Sequence, residues 1–483
     1  MLTESYFPLG IQAETGAPIS SIDDDSLAAF SAEPLETEIS DEQLDAKAKS
    51  HLGTDDDVSD ANDLKQTGWA ILFGPGVEDD VKQALKPLIE HRQRQVANDA
   101  LFKIFDGTAS YVEGETAADW LAKDDKFIPM ADVDPAAGVP YYVLIIGSPE
   151  QIPFEFQFGL DLYWAVGRLW FPTAAEYAQY VKSIIAYETE GSVRTVRQMA
   201  IFAPRNGEDR AMGLFTDNMA NPMMLPTRTK PPFGHDQHFR LQPFLGDPAT
   251  KETLDNIWLG KIPKGQPAVV FTGSHGMVFY AGDGRQAAEQ GAVVCNEWKG
   301  GDTSPKRSHY YAGSDLPAEA QLHGMIHFLF DCYGAGWPRN DTYSRQLKRP
   351  AKLDEAPRLA RLPQALLSHR NGGALAVLGH IDRSWSSSYA SRKLGPQMEG
   401  FRTVMNRLMS GNRIGHATDK LNQRWAGLSI ELAEDLQKML NGLPVDPDQA
   451  KSKWIARDDA RNYIVIGDPA VRLRVEDMPV LGE

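Results

Sequence analysis

Short runs of apolar residues recur along the chain from Gly68 onward and predict the strands of a sheet. Helix-like spacing of apolar residues lies between most of these runs. The predicted strands are 69–76, 141–147, 198–204, 268–273, 325–331, 374–379 and 462–467, and the predicted helices are 79–105, 173–190, 357–370, 395–410 and 414–441. Strands that are apolar on both faces and alternate with helices are typical of a mostly parallel sheet sandwiched between helices. We therefore predict an α/β fold, with long loops at 221–248 and 281–320 where the pattern is weak.

The first part of the chain has a different composition. Between residues 21 and 60 there are 13 Asp or Glu against two Lys, with few aromatic residues. Such a composition buries too little apolar surface to offset the entropy of ordering, so residues 1–64 are predicted to be an acidic, largely flexible segment, mobile from about residue 12. Either it is a solvated tail, or it is a pro-segment or regulatory arm lying over a basic surface, such as the Lys- and Arg-rich stretch 343–361, or over the active site.

Composition restricts the class of protein. The net charge of −17 argues against a nucleic-acid partner, since phosphate binding needs clustered Lys and Arg. No apolar stretch reaches the roughly 18 residues of a membrane span, and MLTESYFPLG does not resemble a signal peptide. The chain has two cysteines, Cys295 and Cys332, which excludes a disulfide framework and suits a reducing compartment. We predict a cytoplasmic protein without a nucleic-acid or membrane partner.

Two predicted strands end in residues that suit nucleophilic catalysis. AVVFTGSHGM places His275 and Gly276 just beyond one strand, where Gly273 permits a sharp exit, and MIHFLFDCYGAG places Cys332 at the end of another. A thiol beside an imidazole is an activated nucleophile, and the backbone N–H groups of Gly276 and Cys332 could stabilise an oxyanion. His275 precedes Cys332 by 57 positions, close to the about 50 of caspases. The sequence thus predicts Cys332 and His275 as the catalytic pair.

The chain resembles the gingipain family of cysteine peptidases, within the caspase-like group that includes CHAT proteases. Six segments between about 140 and 475 carry the resemblance in the family's order: YYVLIIGSPEQIPFEF, AVGRLWFPTAAEYAQYVKSIIAYE, FTGSHGM, FDCYGAG, GALAVLGHIDRSWSSSY and NYIVIGDPAVRLRV. Ser148 stands where the family usually has Asp. The resemblance implies a caspase-like fold with two subdomains, at 65–195 and 196–483, the second being catalytic.

The resemblance also implies cleavage of protein substrates through an acyl-enzyme, after Arg or Lys where an acid lies at the base of the specificity pocket. Candidate pocket residues are Glu176, Asp382, Ser384, Trp385 and Asp331, with Asp161 a further acid. Tyr163 stands where some relatives have an acid that orients the imidazole, so the sequence is compatible with a simple Cys332–His275 dyad and leaves a third residue open.

No metal or cofactor is expected in the chemistry, although a structural calcium would fit the family. His235 and His238 lie in a predicted loop without cysteine partners and do not predict a metal site. An unrestrained cytosolic protease would degrade its host, so we expect conditional activation, by an activating or inhibitory protein partner, a ligand or self-cleavage. The resemblance further implies a role in bacterial defence or cell death. A catalytically silent scaffold or binding protein of the same fold is the alternative.

Overall fold

A computed structural model describes residues 8–19, 58–123, 133–227, 230–301, 303–343, 352–391 and 395–481. All seven predicted strands coincide with strands of this structure. In chain order the strands are β1 (Gly10–Gln12), β2 (Trp69–Phe73), β3 (Phe102–Phe105), β4 (Tyr142–Ile146), β5 (Ala165–Leu169), β6 (Val196–Ala203), β7 (Arg240–Leu245), β8 (Pro267–Gly273), β9 (Gly276–Val278), β10 (Val293–Val294), β11 (Tyr310–Tyr311), β12 (Ile326–Phe330), β13 (Gly336–Trp337), β14 (Arg358–Leu359), β15 (Ala376–His380), β16 (Ala390–Ser391), β17 (Gly395–Pro396) and β18 (Tyr463–Gly467).

Ten of these strands form one central sheet in the order β3-β2-β4-β5-β18-β15-β12-β8-β6-β7. Neighbouring strands are parallel throughout, except that β18 is antiparallel to β15. Strands β2, β4, β5, β8, β12, β15 and β18 are buried along their whole length, as expected of a sheet covered on both faces. The predicted α/β class with a mostly parallel sheet flanked by helices is confirmed.

The antiparallel β15–β18 pair divides the sheet into two halves of opposite direction. Strands β3, β2, β4, β5 and β18 run one way, and β15, β12, β8, β6 and β7 run the other. Both predicted subdomains, 65–195 and 196–483, contribute strands to this one continuous sheet. The direction matters for function, because the carboxyl ends of β5 and β12 lie at opposite edges.

Fourteen α-helices lie in the described ranges; six of them overlap the five predicted helices, and the other eight were not predicted. They span Leu64–Thr67, Asp79–Val96, Ala117–Leu121, Phe154–Asp161, Ala174–Thr189, Arg210–Phe215, Asn221–Met224, Lys251–Trp258, Gln286–Glu289, Arg361–Leu367, Glu399–Met409, Ile414–Ala417, Asp419–Leu440 and Pro447–Arg461. The prediction of one helix over 79–105 is wrong at its end. Ala97 adopts a left-handed conformation with φ of 51° and closes the helix, and the chain then enters β3.

The two regions predicted as long loops contain regular structure. β7 lies within 221–248 as the edge strand beside β6, and its partial exposure and Pro243 hide the alternation that would have revealed it. β10 and β11 lie within 281–320 and have only two residues each, which is too short for a periodic signal. They form a second sheet, in the order β1-β9-β10-β11.

Residues 8–19 correct the prediction that the chain is mobile from residue 12. They form a hairpin-like turn whose strand β1 pairs in parallel with β9, and Leu9, Ile11 and Ile19 are buried. Residues 20–57, which carry most of the acidic charge, lie outside the described residues.

A buried ion-pair network connects the helices Asp79–Val96 and Ala174–Thr189 to the turn that follows β18. The Arg92 guanidinium donates to the carboxylate of Asp468, just after β18, at 2.7 Å and to that of Glu188 at 2.7 and 2.8 Å. The Trp69 indole donates to Asp468 at 3.1 Å.

Across the ranges described above, no helix is both long and apolar enough to cross a bilayer.

Candidate active site

Four parallel strands deliver polar residues to one edge of the sheet. Strands β6, β8, β12 and β15 are neighbours that run the same way, so their carboxyl ends meet there. Asp209 follows β6, His275 follows β8, Cys332 follows β12, and Asp382 follows β15. Gly273 pairs with Phe330 in the β8–β12 register, which brings His275 and Cys332 to adjacent positions beyond the strands. The structure thus brings the predicted catalytic pair together.

Cys332 lies at a sharp turn made by its neighbour. Tyr333 has a left-handed φ of 63°, a conformation that is strained for a bulky side chain and persists only where surrounding structure enforces it. Its N–H donates to the carbonyl of Asp382 at 3.0 Å. The backbone N–H of Ser384 donates to the Cys332 Sγ at 3.2 Å. Burial raises the pKa of this thiol well above its ordinary value, and the Ser384 N–H acts in the opposite direction.

Two glycines near the nucleophile allow close packing. A Cβ on Gly276 would lie 2.0 Å from the carbonyl oxygen of Cys332, so only glycine permits this approach of the two backbones. Gly273, predicted to permit a sharp exit from the strand, has a different role, since a Cβ there would lie 1.9 Å from the Phe215 ring.

Asp209 orients the imidazole of His275. The Nε2–H of His275 donates to the Asp209 Oδ1 at 3.0 Å, while Nδ1 has no hydrogen-bond partner among the described residues. Asp209 also caps the helix Arg210–Phe215 by accepting from the N–H of Met212. Burial acts to raise the pKa of Asp209, but the His275 imidazole and the helix N–H groups outweigh it and lower that pKa. Nδ1 is therefore left to exchange a proton with a thiol or a leaving amine.

The position at which some relatives have an orienting acid, occupied here by Tyr163, lies far from His275 in this structure. Tyr163 precedes β5, and three strands separate β5 from β8 in the sheet, which is roughly 19 Å at the usual spacing. Asp161 precedes the same strand and is equally remote. The available sequence signal for Asp209 was an acid at a helix start directly after a strand, in APRNGEDRAM.

Four of the five predicted pocket residues lie beside Cys332. Ser384 contacts Sγ, Asp382 contacts Tyr333, Trp385 follows Ser384, and Asp331 precedes Cys332. Trp385 is fully buried, and its ring packs edge-on against Tyr343 at a centroid distance of 5.1 Å.

The two acids of this group carry raised pKa values. Neither carboxylate oxygen of Asp331 has a hydrogen-bond partner among the described residues, and burial raises its pKa well above the ordinary value. Burial and then the nearby Asp341 raise the pKa of Asp382 to about 6, against the effects of Thr342 and Arg383. Two buried carboxyl groups beside the nucleophile would each gain from a cationic partner.

Glu176 does not belong with them. It follows β5, which runs antiparallel to β12, so topology places it toward the edge of the sheet opposite Cys332. Its carboxylate binds the Arg361 guanidinium at 2.6 Å and the Thr173 hydroxyl at 3.0 Å. Glu176 lies in the first turn of the helix capped by Thr173, where an acidic side chain stabilises the start of the helix. Its presence therefore needs no contact with a substrate.

The two predicted oxyanion donors converge on one atom. The N–H groups of Gly276 and Cys332 each donate to the carbonyl oxygen of Leu9, both at 2.9 Å. A carbonyl held by two backbone donors next to a thiol is the arrangement that stabilises a developing oxyanion.

Other candidate sites lie elsewhere or are not found. In the described part of the chain, no group of three or more His, Cys, Asp or Glu side chains is placed to hold a metal ion. A surface cavity of about 370 Å³ is lined by Arg194, Gln266, Glu319, Gln321, His323 and Asn371. It lies at the edge where β12 begins, away from Cys332.

Comparisons with known proteins find similarity in structure only. No protein-family model matches the chain, and no curated protein matches it significantly. A solved structure titled "Structure of Protease" aligns at 12% identity over 84% of this chain and 78% of its own, with a TM-score of 0.49. The Arg-specific cysteine proteinase gingipain R aligns at 12% identity over 85% and 79%, with a TM-score of 0.46. The Saccharomyces cerevisiae separase–securin complex aligns at 10% identity over 68% and 16%, with a TM-score of 0.31.

Proposed function

We propose that this protein is a cysteine endopeptidase of the caspase-like type in which Cys332 is the nucleophile. The observation that carries the proposal is the convergence of the Gly276 and Cys332 N–H groups on one carbonyl oxygen at 2.9 Å, beside the Cys332 thiol. Such donors stabilise charge that develops on a peptide carbonyl during attack.

The chemistry follows from the positions of three side chains. The Cys332 thiolate attacks the carbonyl carbon of the scissile bond, and the oxyanion is held by the two N–H groups. His275 then gives a proton to the leaving amine, and a thioester remains on Sγ. Water activated by His275 hydrolyses the thioester and restores the thiol. Asp209 acts as a positioning residue, because its hydrogen bond to Nε2 fixes the imidazole and stabilises its charged form.

A preference for Arg or Lys before the scissile bond is part of the proposal. Support comes from Asp331 and Asp382, which are buried next to Cys332 and have raised pKa values. A cationic substrate side chain would give these carboxyl groups a charged partner and favour their ionised form. Cytoplasmic location, the relation to CHAT proteases and a role in defence or cell death stay predictions from the sequence.

The test is cleavage of fluorogenic peptides that end in Arg, Lys, Asp or Leu, with wild type beside Cys332→Ala. Turnover of the Arg or Lys peptide that is lost in the variant supports both the nucleophile and the acidic pocket. Turnover of the Asp or Leu peptide keeps the peptidase and contradicts the pocket. If all peptides are silent, a thiol-reactive peptide is applied to wild type and to Gly10→Val, whose side chain would clash with Ile19 and Cys332 and open the cleft; failure to label Cys332 in both folded proteins favours the silent scaffold.

A further inference from the structure

Residues 8–19 lie across the candidate active site in the manner of a bound peptide. On one side of Cys332, Pro8 forms an antiparallel bridge with Trp385, and the Leu9 N–H donates to the Ser384 carbonyl at 3.0 Å. Antiparallel pairing of an extended peptide with an exposed backbone is a common mode of peptide recognition. The Leu9 carbonyl then enters the oxyanion position described above.

The chain continues past the nucleophile without leaving the cleft. Gly10 is the next residue, and a Cβ at Gly10 would lie 3.1 Å from the Cys332 Sγ and 2.6 Å from the Ile19 Cδ1. The Leu9–Gly10 peptide bond is therefore the bond presented to the thiol.

The following residues are anchored firmly. β1 pairs with β9, and the N–H of Ala13 donates to the Val278 carbonyl at 2.9 Å. Ile11 and Ala13 are buried in an apolar cluster with residues of the second sheet: Met277, Phe279, Ala292, Val294, Trp298, Tyr310 and Ala312. The N–H of Ile19 donates to the Gly10 carbonyl at 3.0 Å, so the turn closes on itself.

We propose that residues 8–12 are a built-in competitive inhibitor that occupies the substrate cleft in the orientation of a substrate, with Leu9 in the position before the scissile bond. This inference rests on the proposed peptidase function and adds its regulation. Substrates enter only when the segment leaves. The sequence left two interpretations of the first 64 residues, a solvated tail and a pro-segment or regulatory arm. The proposed inhibitor favours the second and places its contact with the active site at residues 8–12.

Two features explain why the segment inhibits rather than being consumed. Leu9 has no cationic group for Asp331 or Asp382, so it lacks the interaction proposed for good substrates. If Cys332 does form a thioester with Leu9, the bond from the Leu9 carbonyl carbon to the Gly10 nitrogen breaks, and the amine takes a proton from His275. β1 holds the Gly10 amine beside the thioester. The amine therefore returns its proton to His275, attacks the thioester carbonyl and re-forms the peptide bond, which releases the Cys332 thiolate.

The segment also accounts for the state of the nucleophile. With Leu9 and Gly10 in place, Cys332 is fully buried, and burial keeps its thiol protonated. A displaced segment would expose Sγ to solvent and to small reagents.

The experiment compares the full chain with Gly10→Val and Leu9→Asp. The first variant forces a clash with Ile19 and Cys332, and the second buries a carboxylate, so both should displace the segment. Glu14→Ala, an exposed side chain on the same turn, is the matched control. Two rates are measured: alkylation of Cys332 by iodoacetamide, followed by mass spectrometry, and hydrolysis of the four peptides ending in Arg, Lys, Asp or Leu. Thermal melting checks that each variant is folded.

We expect both displaced variants to be alkylated at Cys332 at least about tenfold faster than wild type, with a parallel rise in hydrolysis, and Glu14→Ala to match wild type. Folded variants that are alkylated at the wild-type rate would overturn the inhibitor. Faster alkylation without hydrolysis in any variant would support a segment that blocks the cleft but would overturn the peptidase activity. Failure of the inhibitor proposal and failure of the peptidase proposal are therefore distinguishable.

Discussion

The Nε2 atom of His275 lies 3.0 Å from the Oδ1 atom of Asp209, across two neighbouring parallel strands. The contact fixes which ring nitrogen carries a proton and leaves Nδ1 for the chemistry. A residue that acts through the imidazole in this way should affect the chemical step more than substrate binding.

Asp209→Asn should lower kcat by about 10²–10⁴-fold with little change in KM, because the imidazolium loses its anionic partner. Asparagine still caps the helix that Asp209 begins, so the fold should survive. The measurement is the pH dependence of kcat in a displaced-segment background such as Gly10→Val. Asp217→Asn, on an exposed aspartate nearby, serves as control. An unchanged kcat in the Asp209 variant would leave a simple dyad.

Leu9→Arg should convert the inhibitor into a substrate. The new side chain would bring a positive charge toward Asp331 and Asp382 and stabilise the thioester, so that water can hydrolyse it before the Gly10 amine returns and the chain should cut itself between positions 9 and 10. Intact-mass measurement and sequencing of the new terminus at Gly10 check this outcome. Adding Cys332→Ala should abolish the cut. Self-cleavage that is equal in wild type and in the Leu9 variant would contradict the acidic pocket.

Gly276→Ala should lower kcat by about 10²–10³-fold, as expected for loss of one oxyanion donor. The added methyl would lie 2.0 Å from the Cys332 carbonyl oxygen, so the two backbones must separate. The melting temperature should also fall. Gly284→Ala is the control, because a Cβ at Gly284 meets nothing within 4 Å. Comparable kinetics for the two alanine variants would argue against the Gly276 N–H as a donor.

Arg92→Met should destabilise the fold by about 3–5 kcal/mol at pH 7, because it leaves the carboxylates of Glu188 and Asp468 buried without their cation. Burial acts to raise the pKa of Glu188, but Arg92 and His91 hold it below the ordinary value of 4.5. In wild type this carboxylate therefore adds stability that is present above pH 4.5 and is lost as pH falls through the lowered pKa.

In the Arg92 variant the burial of Glu188 is no longer opposed by the guanidinium, so protonation of Glu188 relieves part of the cost. The difference in the free energy of unfolding between wild type and Arg92→Met, measured by urea unfolding, should therefore become smaller as the pH is lowered from 7 to 4.5. Lys82→Met, which breaks a partly exposed pair with Asp106, should cost less than about 1 kcal/mol. A difference for Arg92 that grows on acidification would contradict the assigned charges.

The strand pattern and the positions of His275 and Cys332 at the ends of neighbouring strands could be predicted from sequence because each depends on a local run of residues. A buried strand such as Ile326–Phe330 shows itself as a continuous apolar run, and Cys332 is identified by its place directly after that run. Short or edge strands such as β7 and β10 carry no such run and were missed. The helix ending at Val96 was overextended because apolar spacing continues past the left-handed residue that stops it.

The sequence by itself determined the α/β class, the strands that carry His275 and Cys332, and the two backbone donors. Only the tertiary structure decided the direction of each strand, and with it that Glu176 and Tyr163 are remote and that Asp209 is the partner of His275. It also decided that the chain returns residues 8–12 to the cleft. The physical reason is that strand direction and the docking of a distant segment depend on contacts between residues far apart in the chain, such as Leu9 with Cys332, which no local pattern records.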